Sequence, residues 1–191
     1  MKNKQILFVI GMAFVLTACQ EQIKEKPINT YYDVETLINR QIEKLRERDP
    51  RLAKTISIDG KVEKDTVNFD SLGWKNELEV FKLANINKPN LRDQYQATEK
   101  TKDGLKIWSY TAEEQSLGIE FLKVYFGSDS TLTKLEARYN ENNALYTSER
   151  YLEMDFENIA GESNLSKYKV YGKQKMVMKD EVEFSIESSI L

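Results

Sequence analysis

Apolar residues recur along the chain with two different periods. Over residues 31–48, Val34, Leu37, Ile38, Ile42 and Leu45 return at helical spacing, while Glu35, Asn39, Arg40, Glu43, Lys44 and Glu47 take the other face. That pattern predicts an amphipathic helix. Thr30 and Asp33 have the form of a capping box, with Asp in place of the usual Glu or Gln. Asp49-Pro50 ends the helix. Two β-prone runs, 54–58 and 62–69, flank Asp59-Gly60, a strong hairpin signal. Asp70 or Ser71 then caps a second helix over residues 71–84, with Trp74, Leu78 and Phe81 on one face and Val80 and Ala84 nearby. Asn87-Lys88-Pro89-Asn90 breaks it.

From Tyr95 onward the period falls to two and the chain reads as an antiparallel meander. Candidate strands cover 94–101, 105–112, 117–126, 132–141, 144–156, 166–178 and 181–189. Turn-forming residues separate them, among them Lys102-Asp103-Gly104, Gly127-Ser128-Asp129, Asn142-Asn143 and Lys179-Asp180. Leu135, Ala137 and Tyr139 alternate with Lys134, Glu136 and Arg138; Val182, Phe184 and Ile186 alternate with Glu183, Ser185 and Glu187. In 117–126, Ile119, Phe121 and Tyr125 oppose Leu122, Val124 and Phe126, a pattern that predicts a central strand covered on both faces. The fold class expected is α+β. Two N-terminal amphipathic helices, with a hairpin between them, pack on a curved antiparallel sheet of about six to eight strands. Residues 30–191 form its single domain.

Composition narrows the chemistry more than the fold. The chain has 191 residues, 40% hydrophobic and 31% charged, as expected of a globular protein. The net charge is −3. A mildly acidic chain lacks the clustered Lys and Arg that neutralise phosphates, so nucleic acid is not an expected partner. There is no His, and the one Cys is Cys19. The commonest general base and metal ligand is therefore missing, along with disulfides and zinc sites built on Cys and His. No phosphate-binding Gly loop or Gly-x-Ser-x-Gly elbow occurs. No catalytic residue, metal ligand or cofactor is assigned, and an enzyme is not expected.

The chemistry that remains legible lies at the N-terminus. Lys2 and Lys4 precede an apolar run over residues 6–16, too short for a membrane span, which needs about 20 residues, but suited to a secretory signal. It ends in Leu16-Thr17-Ala18-Cys19, which closely resembles the lipobox of bacterial lipoproteins. The resemblance implies cleavage between Ala18 and Cys19, removing residues 1–18. It also implies a diacylglycerol thioether on Cys19, often with a further acyl chain on the new amino group. Each buried CH₂ contributes about 0.8 kcal/mol, so two or three chains hold durably where one does not. Loss of Lys2 and Lys4 leaves a mature net charge of −5. Residues 19–29, polar and charged to Pro27, read as the lipidated Cys and a flexible tether. Gln20 is not the Asp that retains enterobacterial lipoproteins at the inner membrane, so the likeness puts the outer membrane ahead of the inner one.

Within the domain, aromatic side chains are the candidates for recognition. Trp108, Tyr110, Tyr125 and Tyr139 are taken as a ligand or partner surface, since Trp and Tyr combine apolar area with a polar handle. Ordinary sheet packing is the plainer reading of each. Glu149, Glu153, Asp155 and Glu157 lie in or near one strand and, being odd-numbered, share a face. Paired carboxylates run glycoside hydrolysis, but a solvated strand face explains them as well. Gly127-Ser128-Asp129-Ser130 has too few oxygen ligands for calcium and reads as a turn.

Tyr31-Tyr32-Asp33, Lys54-Thr55, Trp74 with Glu77-Leu78 and Phe81, and Ile86-Asn87-Lys88-Pro89 give a further likeness. Over roughly its first half the mature chain resembles small outer-membrane lipoproteins of Bacteroidota, which bring no established activity. The expected function is a non-catalytic envelope lipoprotein, anchored through Cys19, that holds an outer-membrane or periplasmic protein partner. A second reading is a carrier of a lipid or other hydrophobic ligand in a pocket between sheet and helices. It has an architectural likeness to periplasmic carriers of lipoproteins. A third is a carboxylate-based hydrolase.

Overall fold

A computed structural model describes residues 30–191. The expected signal segment, Ala18, Cys19 and the tether lie outside the described residues. Helix α1 (Val34–Arg48) is followed by strands β1 (Arg51–Ile58) and β2 (Lys61–Asn68), helix α2 (Ser71–Leu78) and a 3₁₀ segment (Glu79–Ala84). Seven strands complete the chain: β3 (Tyr95–Lys102), β4 (Leu105–Ala112), β5 (Ile119–Phe126), β6 (Leu132–Asn142), β7 (Tyr146–Ile159), β8 (Glu162–Met176) and β9 (Glu181–Ile190). The nine strands of the described residues form one antiparallel sheet in the order β2-β1-β9-β8-β7-β6-β5-β4-β3.

The expected fold class is corrected by this topology. Two N-terminal helices on a sheet of six to eight strands do not describe a molecule with more than half of its described residues in one nine-stranded sheet. The hairpin between the helices is not a separate element. β1 pairs with β9, Leu52 opposite Ile190 and Ile58 opposite Phe184, so the hairpin continues the sheet. The physical reason is the edge of β9, whose hydrogen-bonding groups would otherwise be open to another chain. β2 closes that side with the charged sequence Lys61-Val62-Glu63-Lys64-Asp65. α2 is inserted among the strands and is short; the second half of the helix expected over 71–84 tightens into the 3₁₀ segment.

The helices lie on one face of the sheet. Val34, Leu37, Ile38, Ile42 and Leu45 of α1 are buried, and so are Trp74, Leu78 and Phe81. They meet a cross-strand row that runs from Leu122 through Ala137 and Leu152 to Val170. Residues 30–191 thus share one continuous core. Asp33 itself caps α1, accepting from Thr36 N at 2.9 Å, in place of the expected Thr30 box. Asp70 caps α2 through Gly73 N at 2.7 Å. Gln41, inside the apolar stripe, bonds Ser163 O at 3.1 Å and Leu165 N at 2.8 Å, which pins α1 to the β7–β8 hairpin. At the other seam, Lys54 Nζ lies 2.7 Å from Glu77, which also accepts from Tyr168 Oη at 2.6 Å. This cluster fastens α2 to β1 and β8.

β5 departs from the two-faced expectation. Register shifts between Ile119 and Phe121, and between Tyr125 and Phe126, turn the chain over. Ile119 therefore joins the helix side with Leu122 and Val124, while Phe121 and Tyr125 stand on the opposite face. Among the described residues no second layer covers that face; Lys123 lies over the Phe121 ring at 4.7 Å instead.

Candidate functional site

Two surfaces remain after the core is accounted for. The first is the uncovered face. Lys123, Glu136, Glu153, Lys169 and Glu187 form one cross-strand row. Tyr125 Oη donates to Glu136 at 2.6 Å, and Lys134 bridges Glu136 at 2.8 Å and Glu153 at 3.4 Å. Tyr171 Oη donates to Glu153 at 2.9 Å. Tyr151 and Tyr171 stack at 5.0 Å, with Arg138 over the first ring and Lys169 over the second. Burial, then the Glu136 carboxylate, pushes Tyr125 up to about 12. Burial, then Glu153, does the same for Tyr171.

This face has little left to offer a ligand. Its ring faces are taken by neighbouring rings and cations, and its carboxylates already accept from Lys134 and two tyrosines. Burial works against the Glu136 charge, but hydrogen bonds from Lys134 and Tyr125 outweigh it and hold its pKa below the usual carboxylate value. That is the wrong direction for a general acid, which needs a raised pKa. Burial does raise Asp155, beside Lys134 on the same open face. Among the described residues no group of three or more Asp or Glu side chains is placed to hold a metal ion.

The four aromatic candidates do not converge. Trp108 and Tyr110 lie on the helix side. Tyr110 is buried against Tyr31, and half-buried Trp108 packs edge-on to Phe126 and donates to Glu99 at 2.9 Å. Tyr125 is on the uncovered face. Tyr139 is on the helix side, with its hydroxyl on Glu141 at 3.0 Å. Trp108, Tyr110 and Tyr139 pair with Val124, Leu122 and Ile119 of the buried rows, whereas Tyr125 alternates with Val124 and so takes the other face.

The second surface was not singled out from sequence. Burial on the helix side falls away before Leu152 in β7 and after Val170 in β8, Ser148 apart, towards the β6–β7 and β8–β9 hairpins. The rows beyond pair Arg150 with Gly172, Gly172 with Phe184, and Phe184 with Ile58; then Ser148 with Gln174 and Gln174 with Val182; then Tyr146 with Met176. This projecting end carries Leu145, Val177 and Met178, exposed at 73%, 58% and 99%. Val177 N donates to Leu145 O at 2.9 Å, so the β6–β7 and β8–β9 tips are joined. Met176, Met178, Val182 and Phe184, rimmed by Gln174, Lys179 and Asp180, line a groove of about 650 Å³. The signal in the sequence was Met176-Val177-Met178, an apolar triplet closing the expected strand 166–178, of which β8 takes only Met176.

The space between sheet and helices, by contrast, is occupied by Ile38, Leu45, Trp74, Leu78 and Phe81, each fully buried. Comparison with known proteins adds no assignment: no family model matches the chain, and no curated protein matches it significantly.

Proposed function

We propose that the chain is a membrane-anchored lipoprotein of the cell envelope. Its domain is a non-catalytic binding module whose working surface is the projecting apolar end of the sheet. One observation carries the binding role: exposed Leu145, Met176, Val177, Met178 and Val182 are gathered at one end, around a groove, on a molecule whose other open face is satisfied by its own charges. A concentrated apolar patch at a protein surface marks a contact site, whereas singly exposed apolar residues do not. The anchor rests on the lipobox likeness of Leu16-Thr17-Ala18-Cys19. Outer-membrane placement rests on Gln20.

The anchoring half is tested by growing cells with an alkyne-bearing fatty acid. The native chain takes up the label and fractionates with membranes; Cys19→Ser protein takes up none and is released. Membrane retention of unlabelled Cys19→Ser protein contradicts the anchor. The binding half is tested with a photo-reactive side chain at Met178 or Ile159, at opposite ends of the sheet. Envelope adducts form from position 178 and not from 159, and equal labelling from both contradicts the assignment of the surface. A second reading, a hydrophobic ligand carried in the groove, is favoured by the groove's size. It requires a stoichiometric small molecule in native mass spectra of gently purified protein.

A further inference from the structure

Met178 is out of place for a residue chosen only for folding. Its φ is +62°. The other described non-glycine residues with positive φ are Asp49, Asp59, Asp93, Asp103, Ser130 and Ala160, all small or polar. A left-handed conformation disfavours every L-residue, and Asn, Asp and Gly tolerate it best. Met178 combines that conformation with a large apolar side chain that is fully exposed. Leu145, Met176 and Val177 stand beside it, the tips joined through the Val177–Leu145 backbone bond.

The surroundings of this tip distinguish among occupants. Lys173, Lys175 and Lys179 are balanced by Asp180, Glu181 and Glu183, so there is no net field to recruit a charged partner. Long lysine stems lie along apolar surface while their ammonium groups stay wet, and half-exposed Tyr146, paired with Met176, is amphipathic. An apolar tip ringed by such residues suits the boundary between lipid headgroups and acyl chains. Reach agrees. The ten residues 20–29 span up to about 33–36 Å when extended. The described chain begins beside β4, where the Tyr31 ring meets Tyr110 at 5.5 Å. β8 is four strands from β4, roughly 19 Å across, and Met176 lies six residues beyond Val170, which shares a row with Tyr110, roughly 20 Å along the strand, so the tip is roughly 28 Å away and within that reach.

We infer that the tip formed by Leu145, Met176, Val177 and Met178 beds in the surface of the bilayer that holds the lipid anchor, as a second and reversible contact that orients the domain. This inference rests on the anchored-module reading above, and its test is built to fail separately from it. Protein beginning at Gln20 has no Cys. It retains the whole described core and takes an N-terminal His tag. Met178→Cys, or Ile159→Cys as the opposite-end control, is labelled with an environment-sensitive fluorophore. The tag holds the protein on phosphatidylcholine vesicles containing a few per cent of nickel-chelating lipid.

At position 178 the emission rises at least threefold, shifts to the blue and is quenched by a nitroxide on the acyl chains. At 159 it stays at its value in water. Adding Leu145→Asp and Val177→Asp abolishes the rise while the far-ultraviolet circular dichroism is unchanged. An unchanged signal at 178 overturns the inference, and so does a rise that depends on protein concentration without vesicles, which assigns the tip to a second copy. Because the tag replaces the natural anchor, these results bear on the tip alone. Absence of acyl label on Cys19 bears on the anchor alone.

Discussion

Replacing Met178 by Gly separates what the tip does for folding from what it does for binding. The side chain is 99% exposed, so its removal forfeits almost no buried surface. Its backbone is left-handed, φ +62°, which for an L-residue costs about 1–2 kcal/mol relative to the right-handed region. Gly is free of that cost but loses about 0.5–1 kcal/mol more in ordering the chain. The difference lies between about 0 and 1.5 kcal/mol, and its middle leaves Met178→Gly more stable by about 0.5–1 kcal/mol. For a domain of this size that raises Tm by about 1–4 °C. The assay is urea and thermal unfolding of the soluble domain, native and variant, with equal urea m-values required so that the change is one of stability and not of the compactness of either state. A loss of more than about 0.5 kcal/mol would refute the reasoning, since Met178 would then be part of the fold and its exposure no sign of a partner. A gain in stability together with weaker membrane or envelope contact marks a residue kept for function at some expense to folding.

Three further outcomes follow from the packing. Lys54→Met removes the cation from Glu77, and unfolding in urea registers a loss of about 3 kcal/mol; the triple variant with Glu77→Leu and Tyr168→Phe regains most of it, because neither a lone charge nor an orphaned buried hydroxyl is left. Gly172→Ala destabilises by about 3 kcal/mol, since a Cβ there falls inside van der Waals contact with the Glu149 carbonyl oxygen of the neighbouring strand. Tyr125 and Tyr171 are raised from 10 to about 12 in the folded state, so the folded protein holds protons that the unfolded chain releases. The urea midpoint therefore falls as pH rises from about 10 towards 12, and the double change to Phe flattens the fall.

The parts of the fold that sequence displayed are those fixed by near neighbours. The stripe from Val34 to Leu45 specifies α1, because apolar side chains at that spacing stack on one side of a helix. Asp59-Gly60 places the β1–β2 turn, with φ of +48° and +80° at its two residues. What sequence did not display depends on residues far apart. β1 and β9 lie more than a hundred residues from one another, and no local period reports that Ile56 meets Ile186. The bulges of β5 were equally hidden, because an extra residue that turns Ile119 to the other face leaves the alternation of Leu122 and Val124 intact. The candidate surface followed from the same limit. Aromatic content pointed to Trp108, Tyr110, Tyr125 and Tyr139, but pleating divides them between two faces. The tip was legible only as Met176-Val177-Met178 and became a surface once β6–β7 brought Leu145 beside it.

Hydrogen exchange of the lipidated protein in its own membranes, set against the soluble domain, tests most directly whether the projecting end is the working surface. Peptides covering residues 143–148 and 174–182 are expected to gain protection in the membrane sample, while those covering 127–131 and 158–163, at the opposite end, exchange equally in both. Equal exchange at the projecting end, or protection confined to the opposite end, would contradict the assignment.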